Sequence, residues 1–140
     1  MAKKGPGRVR GRAAYQVFVS HATADKWLAR TLCEKIEAIG AATFRDDRDI
    51  KGGDLIPDEI FDALEASREF LVLMTPASVS RPWVLFEVGA ARRCRGLRIV
   101  PVTYHVGMDL IPAMIHQNRG FALNDVDQYL AELGERVRIA

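Results

Sequence analysis

The feature that most constrains this 140-residue chain is an alternation of two hydrophobic periods. Short β-rich runs take turns with segments whose apolar residues recur every three to four positions. YQVFVS (15–20) is followed by TADKWLARTLCEKIEAIG, in which Thr23 is placed to cap a helix. In that helix Trp27, Leu28, Leu32, Ile36 and Ile39 fall at helical spacing and Gly40 ends it. AATFR (41–45) predicts a second strand and DDRDIKGGDLIP a polar loop. Pro57 then begins a second amphipathic helix with Ile60, Phe61 and Leu64 inward. EFLVLMT (69–75) is apolar almost without interruption, as a central parallel strand covered on both faces would be. A helix containing Glu87, the strand LRIVPVTY, a short helix near LIPAMIHQ, a weak strand RGFALN and a final amphipathic helix DVDQYLAELGERV complete the chain.

Strand and helix in this order predict an α/β fold, a doubly wound parallel sheet with helices on both faces. Ligands of such folds bind outside the carboxyl ends of the strands. The loops after Ser20, Arg45 and Thr75, together with the start of the Glu87 helix, should therefore share one rim.

The length suits a single domain. A content of 49% hydrophobic and 27% charged residues fits a globular protein. No apolar stretch approaches the roughly 18 residues of a membrane span, and the opening lacks a hydrophobic signal core, so a cytoplasmic location is expected. Cys33 and Cys94 stand far apart and outside any CxxC or Cys/His cluster, which speaks against a disulfide framework and a metal site. The formal charge of +2 hides an asymmetry. Lys3, Lys4, Arg8, Arg10 and Arg12 lie in an opening run without an acid, and without those five the remaining 15 basic residues face 18 acidic ones. Residues 1–14 are expected to form a basic, solvated arm and 15–140 the folded domain. The body does not interleave aromatics with Lys and Arg, so nucleic acid is not an expected partner, and neither is a membrane.

Several chemical signatures are missing. There is no GxGxxG after the first strand, no GxxxxGK[ST], no HExxH and no GxSxG, against dinucleotide dehydrogenases, P-loop NTPases, zincins and α/β-hydrolases. His21, His105 and His116 are isolated in sequence, although His21 lies in the first rim loop. The segment SRPWVLFEVGAARR (80–93) is different, because Glu87 sits in an otherwise apolar run from Trp83 to Val88. A buried carboxylate without a partner is costly. Helical geometry puts Trp83 and Glu87 one turn apart on one face, which Ala90 and Ala91 extend with small side chains. Two readings stand on spacing alone: a carboxylate at the base of an aromatic-walled cleft, or a carboxylate near a helix start compensated by a neighbouring arginine.

Three stretches together resemble the TIR (Toll/interleukin-1 receptor) domain family. YQVFVSHATADKWLARTL is similar to its opening strand and helix, and FRDDRDIKGGDLIPDEI to its second strand and BB loop. SRPWVLFEVGAA resembles the Trp-x-x-x-Glu segment of bacterial TIR domains that consume NAD. The likeness runs from Tyr15 to the last helix. It implies a flavodoxin-like five-stranded fold and cleavage of the nicotinamide–ribose bond, with NAD+ as substrate and no cofactor or metal. Breaking that bond builds positive charge on the ribose, which a fixed carboxylate stabilises, and nicotinamide leaves as a neutral base without needing a general acid.

By this resemblance Glu87 is the catalytic group and Trp83 walls the site. Ser20, His21, Arg45 and Asp46 line the nucleotide, and Ser80 is placed to bond a hydroxyl. Arg48, Asp49, Ile50, Lys51, Gly52 and Gly53 form the BB loop, with Gly52-Gly53 replacing the commoner proline–glycine tip. The resemblance also implies homotypic self-association that completes the site, a regulatory partner chain or a sensor domain outside this sequence, and a context of antiviral defence. Three rivals share parts of this pattern: a non-catalytic TIR–TIR scaffold, a nucleoside deoxyribosyltransferase-like enzyme, and a phosphoacceptor receiver, which would need an aspartate where Thr75 stands.

Overall fold

The computed structural model of the chain describes residues 14–46, 53 and 55–140. At its centre β3 (Glu69–Met74) is buried at all six positions, because helices cover both of its faces. β1 (Gln16–Ser20) and β2 (Ala42–Phe44) lie to one side of it, and β4 (Arg98–Thr103) and β5 (Phe121–Ala122) to the other. The strand order is β2-β1-β3-β4-β5, with every pairing parallel. This is the doubly wound parallel sheet expected from the two periods, in the flavodoxin-like five-stranded form that the family resemblance implies. Its order reverses between β1 and β3, and a crevice opens at the carboxyl end of such a switch point.

Among the described residues four α-helices cover the sheet: α1 (Lys26–Ile39), α2 (Asp58–Ala66), α3 (Pro82–Arg92) and α4 (Val126–Ile139). Strand alternation divides the core between them. Val17, Val19, Leu71 and Leu73 meet Leu32 and Ile36 of α1 and Tyr129 and Leu133 of α4. Phe18, Phe70, Val72 and Met74 meet Ile60 and Leu64 of α2 and Val84 and Val88 of α3. Phe18 lies 5.1 Å from Phe44 and 5.4 Å from Phe70, ring centre to ring centre. Each large side chain buried in this way contributes about 1.5–3 kcal/mol.

A carboxylate heads the central strand. Glu69 is fully buried and faces the α1/α4 side. It accepts hydrogen bonds from the Tyr15 hydroxyl at 2.5 Å, the Tyr129 hydroxyl at 2.9 Å, and Nε and Nη2 of Arg136 at 2.6 and 3.2 Å. Burial, reinforced by this carboxylate, pushes the Tyr15 hydroxyl up to about 12 and raises that of Tyr129 as well. Glu69 thus ties β1, β3 and α4 together at the amino ends of the strands.

Local differences from the sequence reading have physical causes. Thr23 does not cap α1; it opens a 3-10 turn (Thr23–Asp25), and Asp25 stands at the cap position without a side-chain cap bond. The Asp25 carboxylate instead accepts the Thr75 hydroxyl at 2.6 Å, which ties the start of α1 to the end of β3. The short helix expected near LIPAMIHQ is two 3-10 turns, Met108–Leu110 and Ala113–Ile115. Gly40 ends α1 as expected, at φ 112°, in the left-handed region where a side chain is strained. No helix among the described residues is long and apolar enough to cross a membrane. The basic arm expected over 1–14 falls, except for Ala14, outside the described residues, as do Arg48, Asp49, Ile50, Lys51 and Gly52 of the expected interaction loop.

Candidate active site

Pro82 occupies the first turn of α3, where its missing N–H costs nothing, and Arg81 precedes it in extended conformation. The loop leading there is held by a buried knot. The Ser78 hydroxyl accepts the Thr75 N–H at 2.9 Å and donates to the Leu73 carbonyl at 2.6 Å. From this fixed start α3 turns Val84, Val88 and Ala91 into the core, with Ala90 packed beside them. Those alanines belong to the packing against the sheet. On the same helix Glu87 is only 2% exposed.

The partner of Glu87 comes from the other end of the sequence. Ser20 ends β1 and, by strand alternation, points to the side of Phe18, towards α3. Its hydroxyl donates to Oε1 of Glu87 at 2.6 Å, between residues 67 positions apart. This is the answer to the two readings left by spacing: the neighbour is a hydroxyl, and no ion pair to Glu87 exists among the described residues. Oε2 of Glu87 is buried without a hydrogen-bond partner, and so is Nε1 of Trp83.

Burial is the main cause that pushes the Glu87 carboxyl from its ordinary 4.5 up to about 8. The Ser20 bond pulls it down, the negative charge of Asp46 pushes it up, and the indole N–H of Trp83 pulls it down slightly. The indole is thus near enough to be felt, although neither it nor Oε2 completes a bond. Of the two observations the geometry decides, and both atoms are left with unused capacity. Keeping this carboxylate ionised in the folded protein costs about 5 kcal/mol relative to water, the equivalent of moving its pKa from 4.5 to about 8. Near neutral pH the isolated domain therefore holds Glu87 mostly as the neutral acid.

Trp83 stacks on Phe86, ring centres 5.1 Å apart and 21° between planes, and Phe61 of α2 meets Phe86 edge-on at 5.9 Å. This aromatic row, of which sequence reasoning picked out Trp83 alone for the site, is what fixes the indole. Asp46, just past β2, is nearly buried and shares the face of Phe44 and Ser20. Arg45 falls on the opposite face, where its charge acts on Cys33 of α1. Of these adjacent candidates, then, only Asp46 reaches Glu87. His21 is buried with Nδ1 3.5 Å from the Val19 carbonyl, folded back along its own strand. Ser80 is exposed in the loop before α3, and Gly53 is exposed with φ 85°. The sequence places the loop after Thr75 on the rim, but not the bonds that shape it, from Thr75 to Asp25 and from Ser78 to Leu73; for Ser78 the turn-forming composition of TPAS is a signal.

Cavities among the described residues lie elsewhere, among them one of about 440 Å³ beside Tyr15 and Arg136, one of about 320 Å³ beside β4 and β5, and one of about 250 Å³ beside Arg119. None of these cavities lies at the switch point, where Glu87 stands as a buried acid with an oxygen left over. The chain leaving Asp46 beside it enters residues 47–52, outside those described.

Comparison with known proteins gives a consistent picture. The sequence pattern of the TIR domain matches residues 17–136. The 2′ cyclic ADP-D-ribose synthase AbTIR of Acinetobacter baumannii is 27% identical over 94 residues, 65% of this chain and 35% of that protein. BtTIR of Bacteroides thetaiotaomicron, of the same name, is 28% identical over 94 residues, 65% of this chain and 33% of its own length. The stimulator of interferon genes protein of Magallana gigas is 32% identical over 75 residues, 53% of this chain and 18% of that protein. The chain thus spans about a third or less of these relatives. Among solved structures, the TIR domain of the Toll-related receptor TRR-2 from Hydra magnipapillata superposes with a TM-score of 0.66 at 24% identity, covering 89% of this chain and 98% of that one. With the fold, the strand order and a family match running from β1 into α4, the chain belongs to the TIR domain family.

Proposed function

We propose that this TIR domain cleaves the nicotinamide–ribose bond of NAD+, with Glu87 as the catalytic carboxylate. The observation that carries the proposal is Oε2 of Glu87, buried at the switch point with no partner while Oε1 is held by Ser20. An acid raised to about 8 by burial is poised to ionise when a cation arrives beside it. NAD+ brings a pyridinium, and its cleavage spreads positive charge onto the ribose. In a site shielded from water a charge opposite that cation acts with little screening.

The C–N bond breaks with its electron pair going to nicotinamide, which leaves neutral. Water then captures the ribose cation to give ADP-ribose and a proton, or a hydroxyl of the same molecule closes a cyclic isomer. The names of the two bacterial relatives support the cyclic product. Trp83 shapes the ribose and nicotinamide end, and Asp46 keeps Glu87 protonated until substrate binds. Self-association through the loop around 48–53, a regulatory partner or sensor domain, and a cytoplasmic role in defence belong to the same proposal, from the family resemblance.

The test is nicotinamide release from NAD+ by concentrated or crowded protein, compared with Glu87→Gln and Glu87→Ala variants whose folding is verified by circular dichroism. A loss of about a hundredfold or more in both variants is expected. Wild type that assembles and releases no nicotinamide overturns the enzyme in favour of a scaffold. Exchange of free bases with deoxynucleosides, without consumption of NAD+, overturns it in favour of a transferase.

A further inference from the structure

The outer face of α2 is unpartnered among the described residues. Ile60, Ala63 and Leu64 are buried and turn one side of the helix to the core. On the opposite side Asp58, Asp62 and Glu65 fall at i, i+4 and i+7, one stripe of an α-helix. All three are exposed and make no ion pair among the described residues. The stripe runs about 10 Å along the helix axis, at about 1.5 Å per residue. No basic residue stands in the last turn of α2, so the partial negative charge of its carboxyl end has no cation from its own helix. Phe61, 41% exposed, borders the stripe on the side of α3, where it meets Phe86.

The chain itself carries the counterpart of this face. Arg8, Arg10 and Arg12 alternate with Val9 and Gly11, in the opening run that holds five basic residues and no acid. In an extended chain alternate residues share a side, and Arg8 to Arg12 then spans about 13 Å, at about 3.3 Å per residue. The fold fixes where this run attaches. The Gln16 side chain donates to the Ala63 carbonyl at 3.3 Å and to the Ser67 hydroxyl at 2.9 Å, and the Arg68 N–H donates to the Gln16 carbonyl at 2.8 Å. The amino end of β1 is thereby tied to the carboxyl end of α2. Arg12, four residues before Gln16, is within about 13 Å of that end on an extended path.

We propose that the exposed face of α2 is a docking surface for the basic segment 8–12 of the same chain. Arg12 meets Glu65 and the carboxyl end of the helix, Arg10 meets Asp62 and Arg8 meets Asp58, in the order that the attachment at Gln16 dictates. Each pair alone is weak at a surface. The short tether makes them act together by keeping the segment at high local concentration. Only residues 8–16 and α2 are needed, so the surface holds whatever precedes the segment and whether or not Glu87 cleaves NAD+.

Nuclear magnetic resonance of the isotope-labelled chain and trypsin removal of the arm test it. The proteins compared are wild type, Arg8→Gln/Arg10→Gln/Arg12→Gln and Asp58→Asn/Asp62→Asn/Glu65→Gln. The three α2 side chains are exposed, so the carboxylate variant should fold, as its unfolding temperature checks. At low salt the arginine variant is expected to differ from wild type in amide shifts concentrated within 58–66. About 1 M NaCl, where the screening length falls to about 3 Å, should erase that difference. Trypsin should remove the arm of the carboxylate variant about fivefold faster than that of wild type, as the loss of a few exposed ion pairs predicts. Equal cleavage rates, or shift differences scattered over the domain, overturn the proposal. So do shifts and protection that grow with protein concentration, which would assign the face to the arm of a second copy. No readout involves NAD+, so failure here leaves the role of Glu87 separate.

Discussion

Two glutamates are buried in this domain, on opposite faces of the sheet and at opposite ends of its strands. Glu69 has two tyrosine hydroxyls and two nitrogens of Arg136 around its oxygens. Glu87 has one serine hydroxyl and an idle oxygen. The first carboxylate is fully engaged in joining three elements. The second is held in place and left unsatisfied, at an energetic cost the fold sustains. Buried charge is structural where its capacity is filled and available for chemistry where it is not.

The sharpest way to break that comparison is to remove each side chain and ask what is lost. Glu69→Ala leaves Arg136 partly buried with only the Glu132 carboxylate, 3.9 Å from its Nη1, and two tyrosines without their acceptor. A destabilisation of about 3–5 kcal/mol is expected, measured by urea unfolding, with NAD+ cleavage surviving in whatever fraction remains folded. A cost below about 1 kcal/mol would remove Glu69 from its role as anchor.

Glu87 should behave in the opposite sense. Its folded pKa of about 8 lies above the ordinary 4.5, so between these values the folded state holds a proton that the unfolded state has released. Stability attributable to this group is present in full below about pH 4.5 and lost as pH rises towards 8. The slope approaches ~1.4 kcal/mol per pH unit, and the total is about 5 kcal/mol. Glu87→Gln removes that dependence. The variant should be more stable than wild type at pH 8 while inactive, which thermal unfolding across pH 5–9 will show. Equal slopes in both proteins would mean that Glu87 ionises normally. On the proposed function, in which Glu87 must lose its proton to react, kcat/KM of wild type for NAD+ should climb through an ascending limb near pH 8.

Ser20→Ala sharpens the comparison with a smaller effect. It deletes the hydrogen bond that lowers the Glu87 pKa, so the ascending limb should move to higher pH. Activity at pH 7 should fall about tenfold, from the loss of one charge-assisted bond. A fall at every pH without movement of the limb would mean that Ser20 only positions the side chain.

How much of this was legible in the sequence follows from how local each cause is. The unbroken apolar run of β3 and the helical spacing of Leu32 and Ile36 are read within a few residues, and they carried the fold. Glu87 was conspicuous because a carboxylate in an apolar run is locally anomalous. Glu69 was not, because it heads its strand and looks like a solvated end; Tyr15, Tyr129 and Arg136 reach it across 54 to 67 positions. The Ser20 bond was hidden in the same way. Composition points to Thr23 as the cap, whereas the tertiary bond from Thr75 to Asp25 sets that corner. Separating Asp46 from Arg45 needed only the period of two along β2, once Phe44 was known to lie under Phe18.

That last distinction gives the finest test. Asp46 faces the site and its charge raises the Glu87 pKa, while Arg45, one residue earlier, faces α1. Asp46→Asn removes the repulsion and keeps the shape, so the ascending limb of kcat/KM should move to lower pH, with a change of a few-fold at pH 7. Arg45→Gln should leave the limb where it is, because its charge acts on Cys33 across the sheet. The effect is small because burial, the largest cause of the Glu87 shift, is untouched by either substitution. Movement of the limb in Arg45→Gln and not in Asp46→Asn would reverse the assignment of faces at the end of β2, and with it the claim that charge from that strand holds Glu87 neutral before substrate arrives.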